Sequence, residues 1–256
     1  MSGAARPAVV PPSLRNSIRP ISVAGQRTLP VVDALGTLLP TGLPRGVTLT
    51  TTGDAARSFA FTLTVAAGRA GSWLAVLGLE GPGWRAATEL GVATERIVHI
   101  EVGGTASRAA DCIAAALDGF DLVLVGPQVH LTATVERRLH ARARERGTVL
   151  IGVHESFPDT HGRTTTGPFT TVADLRGTTR AEGWQGLGAG TGRLTGRQVE
   201  IVMEGKRLPG RRRSTRLWLP GPDGTVTSVA EAAVAPVPFA ARSHDDSSQR
   251  RVERSA

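Results

Sequence analysis

Tyrosine is absent from this chain, and cysteine and lysine occur once each, as Cys112 and Lys206. A single cysteine cannot form an internal disulfide, which suits a reducing compartment. The lack of tyrosine, with aromatics at 4%, argues against a stacking platform for unpaired bases. No apolar run approaches the roughly 20 residues that a membrane span needs. The first 20 residues hold Arg6, Arg15 and Arg19 but no apolar core, so a secretory leader is not expected and the cytoplasm is the default location. The six histidines (His99, His130, His140, His154, His161, His244) are scattered, and none pairs with a cysteine or an acid at ligand spacing. Neither a metal nor a cofactor is therefore expected.

Arginine is abundant. Lysine and arginine together number 30 in 256 residues, and the formal net charge is +8. GC-rich codon usage accounts for arginine over lysine but not for the positive sign. Arginine favours planar anionic partners such as phosphate and carboxylate. The excess points to nucleic acid or an acidic protein.

The organising stretch is Gly46 to Leu63. It reads as a buried strand from Val47 to Thr52, a turn at Gly53 and a helix opening near Ser58. Strand, glycine turn and helix is the arrangement of a phosphate-binding P-loop, in which backbone N–H groups cradle the anion and a Lys-Ser/Thr pair adds charge and a magnesium ligand. Counted from Gly53, Ser58 takes the second glycine position, Phe59 the lysine and Ala60 the Ser/Thr. In a loop one residue shorter, Arg57-Ser58 would replace Lys-Ser, still without the second glycine. A second element, an apolar strand ending in Asp for magnesium, would be Asp121 to Val125, but Gly126 stands at its end. Asp121 lies at the opposite end of that strand. Glu80, beyond the strand Trp73 to Leu77, stands where a water-activating carboxylate belongs. With metal and phosphate ligands missing, hydrolysis of magnesium-ATP is not expected, and Glu80 reads as vestigial.

Strands at 72–78, 96–102, 121–125 and 148–153 alternate with helices at 58–70, 84–90, 107–117 and 131–146. This pattern predicts a mostly parallel α/β sheet. Residues 28–39 have apolar residues at helical spacing. After residue 155 the helices stop, and short strands at 170–175, 198–204 and 215–219 read as antiparallel additions to one sheet edge. Residues 1–28 read as a flexible arm, 29–228 as the folded domain, and 229–256 as a disordered tail. Lys206, Arg207, Arg211, Arg212, Arg213 and Arg216 read as a hairpin tip presenting its cations to DNA or a partner protein. Trp184 and Trp218 are candidates for stacking on bases, with packing the more ordinary role. His154-Glu155, with Ser156 beside it, suggests acid–base chemistry but lacks any nucleophile-elbow pattern. Cys112 falls near an apolar helix face and is expected to be buried and inert.

Several pieces occur in the order found in the RecA recombinase core: Leu43-Pro-Arg-Gly46, Glu89 to Ile97, the 121–125 strand and the run from Arg137 to Gly147. Glu182-Gly-Trp-Gln-Gly-Leu-Gly-Ala-Gly190 and the Gly-Arg-Arg-Arg segment before Leu217-Trp-Leu-Pro-Gly-Pro-Asp-Gly224 resemble the RecA-like accessory proteins of the bacterial inducible mutagenesis cassette, the ImuA type. The resemblance spans about residues 28–225. It implies a RecA-like P-loop core, with a mostly parallel sheet flanked by helices and antiparallel strands at the C-terminal side. It implies partners too: a catalytically inactive Y-family polymerase relative and an error-prone replicative-type polymerase. Single-stranded DNA is a further candidate, and the site of action would be the nucleoid after DNA damage. Under this resemblance Glu80 matches the RecA catalytic glutamate, while the P-loop lysine, its threonine and the strand-end aspartate have no counterpart. Two rival readings stand beside it: an ATPase with an atypical loop using Arg57 and Ser58, and a free-standing DNA-binding protein.

Overall fold

The computed structural model describes residues 27–103, 105–155, 167–187, 191–208 and 210–229. Most of the expected arm and tail, with Ser156, His161 and His244, lies outside them. Strands β1 (Thr28–Leu29) and β2 (Leu43–Pro44) form a small antiparallel pair. The main sheet has nine strands in the order β11-β10-β9-β8-β3-β7-β6-β4-β5. Its parallel part comprises β3 (Thr48–Gly53), β4 (Leu74–Leu77), β5 (Ile97–Ile100), β6 (Leu122–Val125), β7 (Val149–Glu155) and β8 (Leu175–Leu187). Strands β9 (Gly192–Gly205), β10 (Arg212–Trp218) and β11 (Thr227–Ser228) continue it antiparallel.

Strand periodicity explains the continuous apolar runs. Along β4, Leu74 and Val76 join one core while Ala75 and Leu77 join the other. Helix α1 (Ala56–Arg69) supplies Phe59, Leu63 and Val65 to the first core, and Ala87 of α2 (Trp84–Glu89) belongs to it as well. Helices α3 (Ala106–Gly119) and α4 (Ala133–Arg146) supply Ile113, Leu117, Leu139 and Ala143 to the second. A sheet helix-covered on both faces must be apolar on both, as these strands are. Gly147 ends α4 at φ 70°, where glycine avoids the Cβ penalty.

Three elements differ from the sequence expectation. Residues 28–39 do not form a helix. They give β1 and a short 3₁₀ turn at Asp33–Leu35, because Pro30, Gly36 and Pro40 interrupt any longer run. Leu35, Leu38 and Leu39 are buried in the α1-side core while Asp33, Thr37 and Pro40 are exposed, so the one-sided burial that the spacing signals is met without a helix. Residues 170–174 are turn, not strand: Phe169 takes φ 69°, and the Asp174 carboxylate accepts the Thr48 amide at 3.1 Å. Strand β8 begins only at Leu175 and runs parallel to β3, so the antiparallel extension starts one strand later than expected.

Asp121 has a structural role at the foot of β6. It is 4% exposed, pairs with Arg45 at 2.9 Å and accepts the Trp73 amide at 3.3 Å. Among the described residues, no helix is long and apolar enough to cross a membrane.

Candidate functional site

The end of β3 is where a P-loop would open. Only Asp54 and Ala55 separate it from α1, which starts at Ala56, two residues before the expected Ser58. That span is too short for the expected phosphate-wrapping loop. Gly53 has φ 99°, and a Cβ there would run into the Thr179 carbonyl of β8. The glycine therefore serves close packing of two strands, one of the two reasons a backbone position requires glycine.

The entry into α1 is tied to the neighbouring strands from within the chain. Thr179 Oγ1 accepts the Ala55 amide at 3.0 Å and donates to the Thr52 carbonyl at 2.9 Å. The Asp54 carboxylate accepts the Ala181 amide at 3.1 Å. Arg197, on β9, brings a guanidinium to the same place. Its Nη1 donates to the Asp54 carbonyl at 3.2 Å, its Nη2 to Ser58 Oγ at 3.2 Å and its Nε to the Leu219 carbonyl at 2.9 Å. Its carbon lies 5.0 Å from the centre of the Trp184 ring, a cation–π distance. Burial lowers the Arg197 pKa from its ordinary value, and the nearby Asp54 charge opposes that shift. Sequence reading missed Arg197, because a single arginine on a distant strand leaves no local motif. Trp184, a stacking candidate from sequence, is 41% exposed under this guanidinium. Trp218 is half-buried on β10.

The degenerate motif residues now have positions. Phe59, at the lysine position, is fully buried, and a Cβ at Gly177 of β8 would strike its ring. Ala60 is fully buried as well. Arg57 reaches across to the Gly81 carbonyl at 2.6 Å, tying α1 to the loop after β4. Glu80 is exposed beside that loop. A Cβ at Gly126 would meet the Gly78 carbonyl, and the Gly126 amide donates to the Leu77 carbonyl at 2.8 Å. Strands β6 and β4 thus close over the spot where a magnesium-side aspartate would stand. The structure brings Asp54 and Ser58 together with Arg197, Gly53 against Thr179, and Arg57 together with the loop bearing Glu80.

The basic hairpin forms as expected between β9 and β10, but its cations are not uniformly presented. Lys206, Arg207, Arg211, Arg212 and Arg216 are exposed, whereas Arg213 is half-buried and donates to the Thr37 carbonyl at 2.9 Å. On an extended strand Arg213 faces opposite to Arg212, and that side packs on the N-terminal segment. Arg212 lies 3.3 Å from Glu204, Arg216 3.2 Å from Glu182 and Arg207 3.8 Å from Asp174. Cys112 is half-exposed rather than buried.

His154 has a structural environment. It is 6% exposed, and its Nε2 lies 2.9 Å from the Pro168 carbonyl, which can only accept, so this nitrogen holds the hydrogen. Nearby, buried Glu136 accepts the Phe169 amide at 2.6 Å and the Thr171 hydroxyl at 3.0 Å. Burial lowers the His154 pKa, with the Pro168 bond and the Glu136 charge opposing. A depressed histidine pKa means that the unfolded chain binds the proton more readily. Stability is therefore complete above about pH 6.5 and is lost as pH falls through the folded value. His154→Gln is expected to keep a donor near Pro168 and to flatten this acid loss, measured by urea denaturation at pH 7.5 and pH 5. Equal pH slopes in both proteins would refute the assignment.

The strand order, the helices on both faces and the β3–α1 turn define a RecA-like fold. The model of the MT3502 N-terminal domain family matches residues 37–159, which hold the whole β3–α1 region and the strands through β7. The chain is similar to the crystal structure of the KaiC-like protein PH0186 from the hyperthermophilic archaeon Pyrococcus horikoshii OT3. The two superpose with a TM-score of 0.57 at 14% identity, over 80% of this chain and 99% of that one. No curated protein matches this chain.

Proposed function

We propose that this protein is a non-catalytic RecA-fold accessory subunit in DNA-damage tolerance, acting by contact with a polymerase-like partner during error-prone translesion synthesis. The observation that carries the non-catalytic part is Arg197. Its guanidinium is bonded into the first turn of α1, where a P-loop protein would hold phosphate. The closure of β6 onto Gly78 at Gly126 and the burial of Phe59 support the same reading. The choice of pathway and partner comes from the resemblance of the 182–190 and 210–224 segments to ImuA-type proteins. The hairpin with Lys206, Arg207, Arg211, Arg212 and Arg216 is the surface assigned to contact.

Titration calorimetry with magnesium-ATP is expected to give no binding heat; micromolar affinity would overturn the non-catalytic reading and favour an atypical ATPase. Affinity purification from DNA-damaged cells is expected to recover a polymerase-related protein. Recovery abolished by changing Arg211 and Arg212 to alanine would place that partner on the hairpin. Recovery of no polymerase-related protein would sink the pathway.

A further inference from the structure

Helix α4 has arginines on two flanks. Its Glu136, Leu139 and Ala143 are buried. On one flank Arg142 and Arg146 are neutralised by Asp118 of α3, with Arg142 Nε at 2.9 Å and Arg146 Nε at 3.0 Å. On the other flank His140 Nδ1 lies 2.9 Å from Thr48 Oγ1 of β3 and 3.9 Å from Asp174 at the start of β8. Arg137 and Arg144, three residues before and four after His140, share that second flank. Both are exposed, and neither has an acidic partner among the described residues.

This flank borders the face of β8, β9 and β10 that no helix among the described residues covers. Along β8, Leu175, Gly177 and Thr179 are buried on the α1 side, while Arg176, Thr178 and Arg180 are exposed on the other. Cross-strand register sets two regular rows on the open face: Arg176, Glu204 and Arg212, then Arg180, Glu200 and Arg216. Among the described residues Arg176 meets no carboxylate, and it donates to the Thr170 carbonyl at 3.1 Å. Glu200 and Glu182 engage Arg180 through Nη2, whereas acids engage Arg207, Arg212 and Arg216 through Nε. Such a contact leaves the outer Nη groups of the fork available to a second anion. Lys206 and Arg211 add charge at the end of the hairpin, so cations exceed acids along the whole corner.

We infer that the corner between the Arg137–Arg144 flank of α4 and the open face of β8–β10 binds the phosphate backbone of nucleic acid. Its cations stand in regular rows spaced along an extended surface, which suits a repeating diester better than one compact anion. Recognition would be through charge and independent of sequence. The corner is on the sheet face opposite α1, so neither nucleotide nor a polymerase partner is needed, and failure of the proposed co-purification would leave this inference standing.

Fluorescence anisotropy with a labelled oligothymidylate, and with a duplex of equal length, tests it. Affinity for at least one is expected to fall linearly with salt on logarithmic axes; the preferred probe tells single strand from duplex. The double variant Arg137→Glu, Arg144→Glu is expected to weaken binding about tenfold or more and to lower the salt slope by roughly 0.7–0.9 for each phosphate no longer neutralised. The double variant Arg85→Glu, Arg108→Glu makes the same charge change elsewhere and is expected to cost much less. Both pairs lie on exposed helix surfaces, and thermal melts check that each variant stays folded. Equal weakening in the two doubles, or no binding to either probe, would overturn the inference. So would competition by polyglutamate as effective as that by DNA at equal charge, which would assign the corner to an acidic protein.

Discussion

Phe59→Lys is expected to destabilise the protein by about 3–5 kcal/mol and not to create a phosphate site. The substitution restores the residue type a P-loop has at this position, so it separates motif from architecture. The Phe59 ring is fully buried and packs against Gly177 of β8. Removing it leaves a cavity, and lysine would put an ammonium into the α1-side core. A lysine so placed either neutralises or drives the helix outward, and each route costs stability. Urea denaturation measures the loss, and calorimetry with magnesium-ATP should remain silent. A stable Phe59→Lys protein that binds ATP would show that the turn after β3 is a working loop lacking one side chain.

The second large effect is expected at the other motif. Gly126→Asp should destabilise by about 3 kcal/mol or more, at the upper end of overpacking costs. The obstacle to a Cβ is the Gly78 carbonyl, which is backbone and cannot rotate away as a side-chain tip does. Gly78 itself has φ 58°, and a Cβ there would strike Val129, so the turn that carries this carbonyl depends on glycine. Gly126→Ala tests the point without adding charge: most of the loss should already appear with the methyl group. If alanine is neutral and only aspartate is costly, the cause is charge burial and not strand approach. Thermal denaturation of both variants decides between these outcomes.

How much of this was legible in the sequence depends on the range of the contacts. The parallel strands and their helices were legible because an apolar run of four or five residues between helical repeats has few alternatives. That Phe59 and Ala60 stand where a P-loop has Lys and Ser/Thr was legible, being a matter of residue identity. What lies beside Ser58 in space was not. Arg197 lies 139 positions from Ser58, and the bond between them is visible only once β9 is placed beside β8. Residues 28–39 misled because a turn-rich segment buries Leu35, Leu38 and Leu39 on one side, as a helix would, without forming one. The 170–174 stretch misled because Thr-rich composition favours strand, whereas Asp174 and the left-handed Phe169 impose a turn. The hairpin cluster was visible as composition, yet the inward turn of Arg213 and the rows crossing to β8 depend on register, which composition does not specify.

Arg197 also sets a limit on what this fold can do over time. Its guanidinium links the start of α1 to the end of β10 through the Asp54 and Leu219 carbonyls. A ligand at such a junction can arrive and depart, which gives helix and strand lobe two relative states to exchange between. A side chain attached to its own strand can swing aside but is never lost to solution, so its local concentration stays high. The junction forms when the chain folds, and under the proposed non-catalytic role the timing of its associations would be set by abundance rather than by a cycle of ligand arrival and release at this point.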